Sequence, residues 1–185
     1  MPKIQNEEFY GSAQRKIERL NLGSLLDEVR TILTGFSLRV LEEPNQNGAG
    51  IIRKMIDSRF ADANGWTMKK TGGIDWKKCL TENGTSVCVG VEIQLSGRSE
   101  LIYRDLAHFR SSLIEKGEID LGIEVVPSDL LATFLTERVS WYSYANKLIR
   151  ETRSDDLPLV LIGLEHDGPS LIALAKERTN LGRST

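Results

Sequence analysis

The residues IDLGIEVV, at positions 119–126, carry apolar side chains on both faces of a predicted strand. A strand with this pattern is usually central in its sheet and covered on both sides. Residues 159–164 predict a second apolar strand, and residues 86–95 predict a third. Segments with helical periodicity lie between these strands. The sequence therefore predicts an α/β fold with a central mixed β-sheet flanked by helices on both faces.

A tight turn precedes the strand at residues 86–95. Residues 81–85 read TENGT, and Asn-Gly between two β-forming runs is the strongest short signal for a β-hairpin. The incoming strand is predicted for residues 73–80, directly after the Gly72-Gly73 turn. We therefore expect residues 73–80 to fold back against residues 86–95.

Helices are predicted outside these strands. They cover residues 1–34, 51–63, 99–116 and 127–139, and the last begins with Pro127 at a position that favours proline. Residues 36–41 alternate apolar and polar side chains and predict a further strand. The sequence contains no evident linker or repeat. Its 185 residues therefore predict a single domain, residues 1–185.

Composition and charge narrow the class of protein. The chain is 40% hydrophobic and 27% charged, and no apolar run approaches the roughly 20 residues that span a membrane. Its first residues do not resemble a signal peptide. These features predict a soluble, cytoplasmic protein. The net charge of −2 disfavours a protein that coats DNA, but it permits an enzyme that contacts DNA with one face.

The cysteines and histidines give no metal-binding pattern. Cys79 and Cys88 lie among β-forming residues without zinc-ligand spacing, so both are expected to be reduced and structural. His108 and His166 are isolated in the sequence and are expected to have structural or surface roles.

The candidate catalytic residues are Asp75, Glu92 and Gln94. Residues i and i+2 of a strand share a face, so Glu92 and Gln94 project together, and the predicted hairpin returns Asp75 to them. Two carboxylates form a hard oxygen site that suits Mg²⁺ better than zinc. Magnesium between carboxylates and a phosphate is a usual arrangement for phosphodiester hydrolysis. The same pattern also fits an edge strand with solvated polar residues, although Glu92 follows an apolar run in which a carboxylate is costly to bury.

Five stretches of the chain resemble, in order, type II restriction endonucleases of the BamHI, BglII and BstYI kind. They are GGID (72–75), VGVEIQ (89–94), KGEIDLGIEVVP (116–127), LLATFLTERV (130–139) and PLVLIGLE (158–165), with a looser match over residues 47–66. These enzymes are PD-(D/E)xK nucleases. The resemblance implies a restriction-endonuclease-like fold and Mg²⁺-dependent hydrolysis of double-stranded DNA.

The resemblance also implies roles for individual residues. Asp75 and Glu92 would bind the metal together with the carbonyl of Ile93. Gln94 stands where the motif usually has lysine; BamHI-type enzymes have Glu there and BglII-type enzymes have Gln. Because glutamine has no usable pKa, it cannot be the general base, but it can orient the attacking water. The family often has one more polar or acidic active-site residue earlier in the sequence. Asp62 and Asn64 are candidates for it; the alternative is that they only end a helix.

Two segments are candidates for DNA contacts. The loop after the catalytic strand and the helix start beyond it contain Ser96, Gly97, Arg98, Ser99, Tyr103 and Arg104. Glu137 and Arg138 stand where the resemblance implies residues that read bases, since arginine pairs with guanine and glutamate accepts from cytosine. The lysines around Asp75 could hold phosphates; they are Lys69, Lys70, Lys77 and Lys78. Ordinary surface charge is the alternative at each of these positions.

The resemblance implies a homodimer that cuts a short palindrome built around GATC, because a two-fold dimer matches a two-fold site. The helices at residues 99–116 and 127–139 are its candidate dimer elements. Three alternatives stay open. They are another PD-(D/E)xK nuclease for repair or junction resolution, a silent DNA-binding relative that lacks the lysine, and a metal-binding or scaffold protein without nucleic acid.

Overall fold

The computed structural model describes residues 1–68, 73–82, 84–95, 100–136 and 139–174. Their strands are β1 (Lys3–Tyr10), β2 (Arg39–Val40), β3 (Thr67–Met68), β4 (Trp76–Glu82), β5 (Thr85–Ile93), β6 (Leu121–Pro127), β7 (Leu159–Glu165) and β8 (Gly168–Pro169). Their α-helices are α1 (Ala13–Arg19), α2 (Gly23–Thr34), α3 (Ala49–Asp62), α4 (Leu101–Arg110), α5 (Asp129–Phe134) and α6 (Tyr142–Glu151). A π-helical turn, Ser111–Glu115, extends α4.

Six strands form one mixed sheet in the order β1-β7-β6-β5-β4-β3. Strands β5, β6 and β7 are parallel, whereas β1, β4 and β3 run antiparallel to their neighbours. Every residue of β6 is buried, as expected for the central strand predicted at residues 119–126. The short strands β2 and β8 pair separately.

Helices cover both faces of this sheet, which confirms the predicted α/β architecture. On one face, helices α1 to α3 pack on alternate residues of the central strands, among them Val91 and Ile123. On the other face, α4 and α6 pack on residues such as Leu161. Gly122 allows α4 to approach closely, since a Cβ there would lie 2.6 Å from a ring carbon of Phe109. The α4 face also carries the acidic side chains described below.

The prediction of one helix over residues 1–34 is wrong for the first ten residues. They form β1, which pairs antiparallel with β7 at the edge of the sheet. Such a strand has mixed polar side chains and no clear period, so its formation depends on pairing with a distant segment. The rest of the stretch is two helices, separated at Asn21, which has a positive φ of 52°.

The helix predicted for residues 127–139 is also wrong at both ends. Pro127 is the last residue of β6, and the Ser128 hydroxyl caps α5 by accepting a hydrogen bond from the Leu131 amide at 3.0 Å. Helix α5 ends at Phe134, where Leu135 forms a bridge with Asn47. Helix α6 was not predicted, and the strand predicted at residues 36–41 is only the two-residue β2.

The cysteines are joined, so the expectation of two reduced thiols is wrong. The hairpin between β4 and β5 forms as predicted, and its register places Cys79 directly opposite Cys88. Their sulfur atoms form a disulfide. The sequence shows the turn but not which residues face each other across it.

Among the described residues, none of the helices is both long and apolar enough to cross a membrane.

Candidate active site

The β4–β5 hairpin brings Asp75 beside Glu92 and Ile93. Trp76 pairs with Val91, so Asp75, one residue earlier, reaches the end of β5. The carboxylate of Asp75 accepts a hydrogen bond from the Ile93 amide at 2.9 Å. The three groups that the sequence analysis assigned to a metal are therefore adjacent: two carboxylates and the Ile93 carbonyl.

Glu92 is buried on the face of the sheet that α4 covers. One of its carboxyl oxygens lies 2.8 Å from Nδ1 of His108 on α4. Burial, followed by the negative charges of Asp75 and Asp105, raises the pKa of Glu92 to about 11. Glu92 therefore needs a positive partner before it can ionise at neutral pH. His108, for which a structural or surface role was expected, therefore contacts this candidate catalytic carboxyl group.

Glu124 adds another carboxyl group to this region. It pairs with Glu92 across the parallel strands β5 and β6, so the two side chains share a face. Glu124 is completely buried, and neither of its carboxyl oxygens has a hydrogen-bond partner among the described residues. Burial, and then the charges of Asp105 and Glu92, raise its pKa. A charged residue inside the apolar run at 119–126 was a visible signal that the sequence analysis did not use.

Asp105, on α4, completes the cluster. It is buried, and Arg104 lies 3.3 Å from one of its oxygens. Burial raises the pKa of Asp105 from its ordinary 3.8 to about 6, and the Arg104 charge opposes the rise. Glu92, Asp105 and His108 offer ligand atoms that lie within 4.8 Å of one another. The site is therefore a concentration of carboxyl groups that a cation would stabilise.

The raised pKa of Asp105 predicts how stability depends on pH. A carboxyl group whose pKa is higher in the folded than in the unfolded state stabilises the fold at low pH, and this contribution is lost as pH rises through about 6. We expect the difference in unfolding free energy between the wild type and Asp105→Asn to fall by about 1.4 kcal/mol from about pH 5 to about pH 8. Urea unfolding in EDTA measures it; a difference independent of pH would contradict the assignment.

Gln94 follows β5 directly and extends its pairing, since its amide donates to the Val125 carbonyl at 2.8 Å. The side chain is buried. Gln94 therefore stays near Glu92 by chain continuity, and its suggested role in orienting water remains a prediction.

Arg53, on α3, contacts the site from the opposite side and was missed in the sequence analysis. Its Nη1 lies 2.5 Å from the Ile93 carbonyl oxygen and 3.1 Å from a carboxylate oxygen of Asp75. Its Nε donates to Asp57 at 2.8 Å, and Asp57 also accepts from the Trp76 indole at 2.8 Å. Its i,i+4 pair with Asp57 is an ordinary helix pattern, and its partners in the site, Asp75 and Ile93, are distant in the sequence.

The other candidate residues divide into four groups. Asp62 and Asn64 are exposed at the end of α3. A different α3 carboxylate, Asp57, is connected to the site through its contact with Arg53. Lys78 binds Glu28 at 2.7 Å and is not a free phosphate ligand, whereas Lys77 is half-buried in β4. Tyr103 and Arg104 are exposed on α4. Lys69, Lys70, Ser96, Gly97, Arg98, Ser99, Glu137 and Arg138 lie outside the described residues.

His166, for which a structural or surface role was expected, lies away from the residues described above. It is buried, its Nε2 lies 3.0 Å from a carboxylate oxygen of Glu42, and its ring packs near Phe134 at a centroid distance of 5.6 Å.

Comparison with known proteins gives one family. The family model described as restriction endonuclease BglII/BglIII matches residues 7–164. A search of curated proteins finds no match. The matched range contains Asp75, Glu92 and Gln94, as well as Arg53 and Glu124.

Proposed function

The chain belongs to the BglII/BglIII family of restriction endonucleases and is a type II site-specific deoxyribonuclease; from this premise we propose that it uses Mg²⁺ to cut a short palindromic site containing GATC. The observation that carries the proposed metal chemistry is the adjacency of Asp75, Glu92 and the Ile93 carbonyl, joined by the hydrogen bond from the Ile93 amide to Asp75. The proposal takes residues 1–185 as a single nuclease domain in the cytoplasm, where DNA is accessible.

The donor atoms of this site fit a hard divalent cation. Asp75, Glu92 and the Ile93 carbonyl all offer oxygen, which is the ligand atom that Mg²⁺ prefers. Mg²⁺ held by these groups would polarise the phosphate and lower the pKa of a bound water. Glu92 has to lose its proton to bind a cation, so loading releases protons to solvent. His108 keeps the Glu92 carboxyl in place through the 2.8 Å contact.

Gln94 has the position and chemistry to orient the attacking water. Its amide can accept one hydrogen bond and donate two, but it cannot remove a proton. The proton of the water therefore has to pass to another group, and we propose a DNA phosphate as that acceptor.

Gln94→Glu tests this role. The substitution adds another carboxyl group to a cluster that already contains Glu92, Asp105 and Glu124. We expect cleavage with Mg²⁺ to slow by about 10- to 100-fold, with a changed ratio of Mn²⁺ to Mg²⁺ activity, because the new group binds cations and alters water placement. The matched control is Gln14→Glu, on the exposed side of α1. Unchanged kinetics with both metals would place Gln94 outside the reaction.

DNA contacts are proposed for two segments of the sequence. The first, Ser96, Gly97, Arg98 and Ser99, lies in the sequence between β5 and α4. The Arg104 side chain on α4 is 57% exposed while its guanidinium contacts Asp105, so it carries positive charge to the rim of the acidic cluster. We assign Tyr103 and Arg104 to phosphate or groove contacts where α4 meets the DNA beside the dimer interface, and Glu137 and Arg138 to base recognition.

A homodimer is proposed because a palindromic site presents the same bases to two copies of one chain. Exposed aromatic residues on the α4–α6 face support an interface there. Tyr103 on α4 is 47% exposed, and Trp141, just before α6, stacks near Tyr144 with ring centroids 5.0 Å apart. Helix α6 replaces residues 127–139 as the second proposed dimer element, because α5 has only six residues.

The proposed function is tested by digesting plasmid DNA with the full-length protein and Mg²⁺, and by sequencing the ends. Discrete bands whose ends share one palindrome containing GATC are expected. Ends that share a palindrome without GATC would overturn the proposed site while leaving the class of enzyme intact. Cleavage that persists in excess EDTA would overturn the metal dependence.

A further inference from the structure

We infer that the Arg53 guanidinium takes the place of the metal ion when the site is empty. It binds the Asp75 carboxylate and the Ile93 carbonyl until a metal ion displaces it. The inference rests on the proposed function, because it takes Asp75 and Ile93 as metal ligands. On this inference, Arg53 lowers the affinity of the site for a metal ion although it does not bind the metal itself.

Arg53 contacts two of the three proposed metal ligands. One nitrogen, Nη1, contacts both the Ile93 carbonyl oxygen at 2.5 Å and Asp75 at 3.1 Å. These contacts join a helix on one side of the sheet to the end of β5 and the residue before β4. The guanidinium side chain is only 19% exposed, so the pairing is largely shielded from water.

A divalent cation bound to Asp75 and to the Ile93 carbonyl would compete with Arg53 in its present position for these oxygens. A bound Mg²⁺ would lie about 2.1 Å from each ligand oxygen, so it would be within a few ångströms of Nη1. Arginine stays protonated at any working pH, so the repulsion cannot be relieved by loss of a proton. Arg53 therefore has to move away from Ile93 and Asp75 before both can bind a metal.

A second anchor keeps that movement local. The Nε of Arg53 donates to Asp57, and the other oxygen of Asp57 accepts from the Trp76 indole. Because this anchor does not involve Asp75 or Ile93, the guanidinium can turn about the Asp57 contact and release Nη1. Its positive charge then stays beside the site, where the phosphate of DNA has to bind.

The test measures Mn²⁺ affinity of the full-length protein without DNA, by electron paramagnetic resonance of free Mn²⁺. We expect Arg53→Gln to bind Mn²⁺ about 10-fold more tightly than the wild type, because the competing cation is gone. The control Arg59→Gln removes the same charge from an exposed position of α3 and should bind as the wild type does. Unchanged or weaker binding by Arg53→Gln overturns the inference, since Arg53 would then only brace the ligands.

Asp75→Asn separates failure of the inference from failure of the proposed site. If Asp75→Asn loses Mn²⁺ binding, the metal site stands, and the result for Arg53→Gln decides the inference alone. If Asp75→Asn binds Mn²⁺ as tightly as the wild type does, the proposed metal site is wrong and the inference falls with it.

A second measurement needs no substitution in the protein being observed. The ¹⁵Nε–H resonance of Arg53 in the wild-type protein, assigned by its loss in Arg53→Lys, reports the environment of the guanidinium. Displacement predicts that saturating Mg²⁺ shifts this resonance relative to EDTA, while the resonance of Arg59 stays in place. An Arg53 resonance that is identical in Mg²⁺ and EDTA would overturn the inference even if the substituted proteins were unstable.

Discussion

Asp75→Ala and Glu92→Ala are each expected to abolish DNA cleavage while the protein stays folded and continues to bind DNA. Each carboxylate is one of the oxygen ligands of the proposed cation, and a bound metal contributes several kcal/mol of charge stabilisation to phosphodiester hydrolysis. Loss of that contribution corresponds to about a 10³-fold or greater decrease in rate. The effect should be the largest of any single substitution considered for this site.

The fold should tolerate both changes. Asp75 is half-buried and holds the Ile93 amide through one hydrogen bond. Glu92 is a buried carboxyl group whose pKa is raised, mainly by burial, to about 11, so it is protonated at neutral pH and its removal takes no charge away from the metal-free protein. Asp75→Ala also removes a carboxylate that repels phosphate when no metal is present. DNA binding in EDTA should therefore be equal to that of the wild type or tighter.

Single-turnover cleavage with Mg²⁺, circular dichroism and gel-shift binding measure the three expectations separately. Asp155→Ala is the matched control, because it removes an exposed carboxylate from the turn after α6. Cleavage by either variant at close to the wild-type rate would show that its carboxylate is not a metal ligand.

The sequence predicted the features that depend on short-range patterns. The apolar run around Ile123 correctly indicated a central strand, because a strand covered on both faces is apolar along most of its length. The turn at residues 81–85 correctly indicated a hairpin, and the hairpin alone was enough to place Asp75 beside Glu92.

Other features depend on partners far along the chain. Strand β1 exists because it pairs with β7, and its own residues do not alternate clearly. His108 lies 16 residues from Glu92, and Arg53 lies 40 residues from Ile93. No pattern within a single element reports such contacts. Glu124 differs from these, since a lone carboxyl group inside an apolar strand is visible in the sequence and is costly unless it serves a site.

Arg138→Ala is expected to lose specific binding to the cognate site while keeping non-specific binding at low salt. An arginine that pairs bidentately with guanine contributes about 1–3 kcal/mol of discrimination, which is about 10- to 100-fold in relative affinity. The residues that flank Glu137 and Arg138 in the sequence pack against the rest of the domain. The Thr136 amide donates to the Asn47 carbonyl at 2.8 Å, and Val139 is buried.

Recognition is measured by titrating cognate and random duplexes over a range of salt concentrations. A base-reading arginine changes the ratio of the two affinities, whereas a phosphate-binding arginine weakens both and lowers the salt dependence. Arg98→Ala, measured in the same way, tells which kind of contact the loop after β5 makes, and Arg19→Ala on the exposed side of α1 is the control for lost charge. If Arg138→Ala binds its cognate duplex as tightly as the wild type does, Glu137 and Arg138 are only surface charges, and base recognition has to come from the Arg98 loop or from residues after 165.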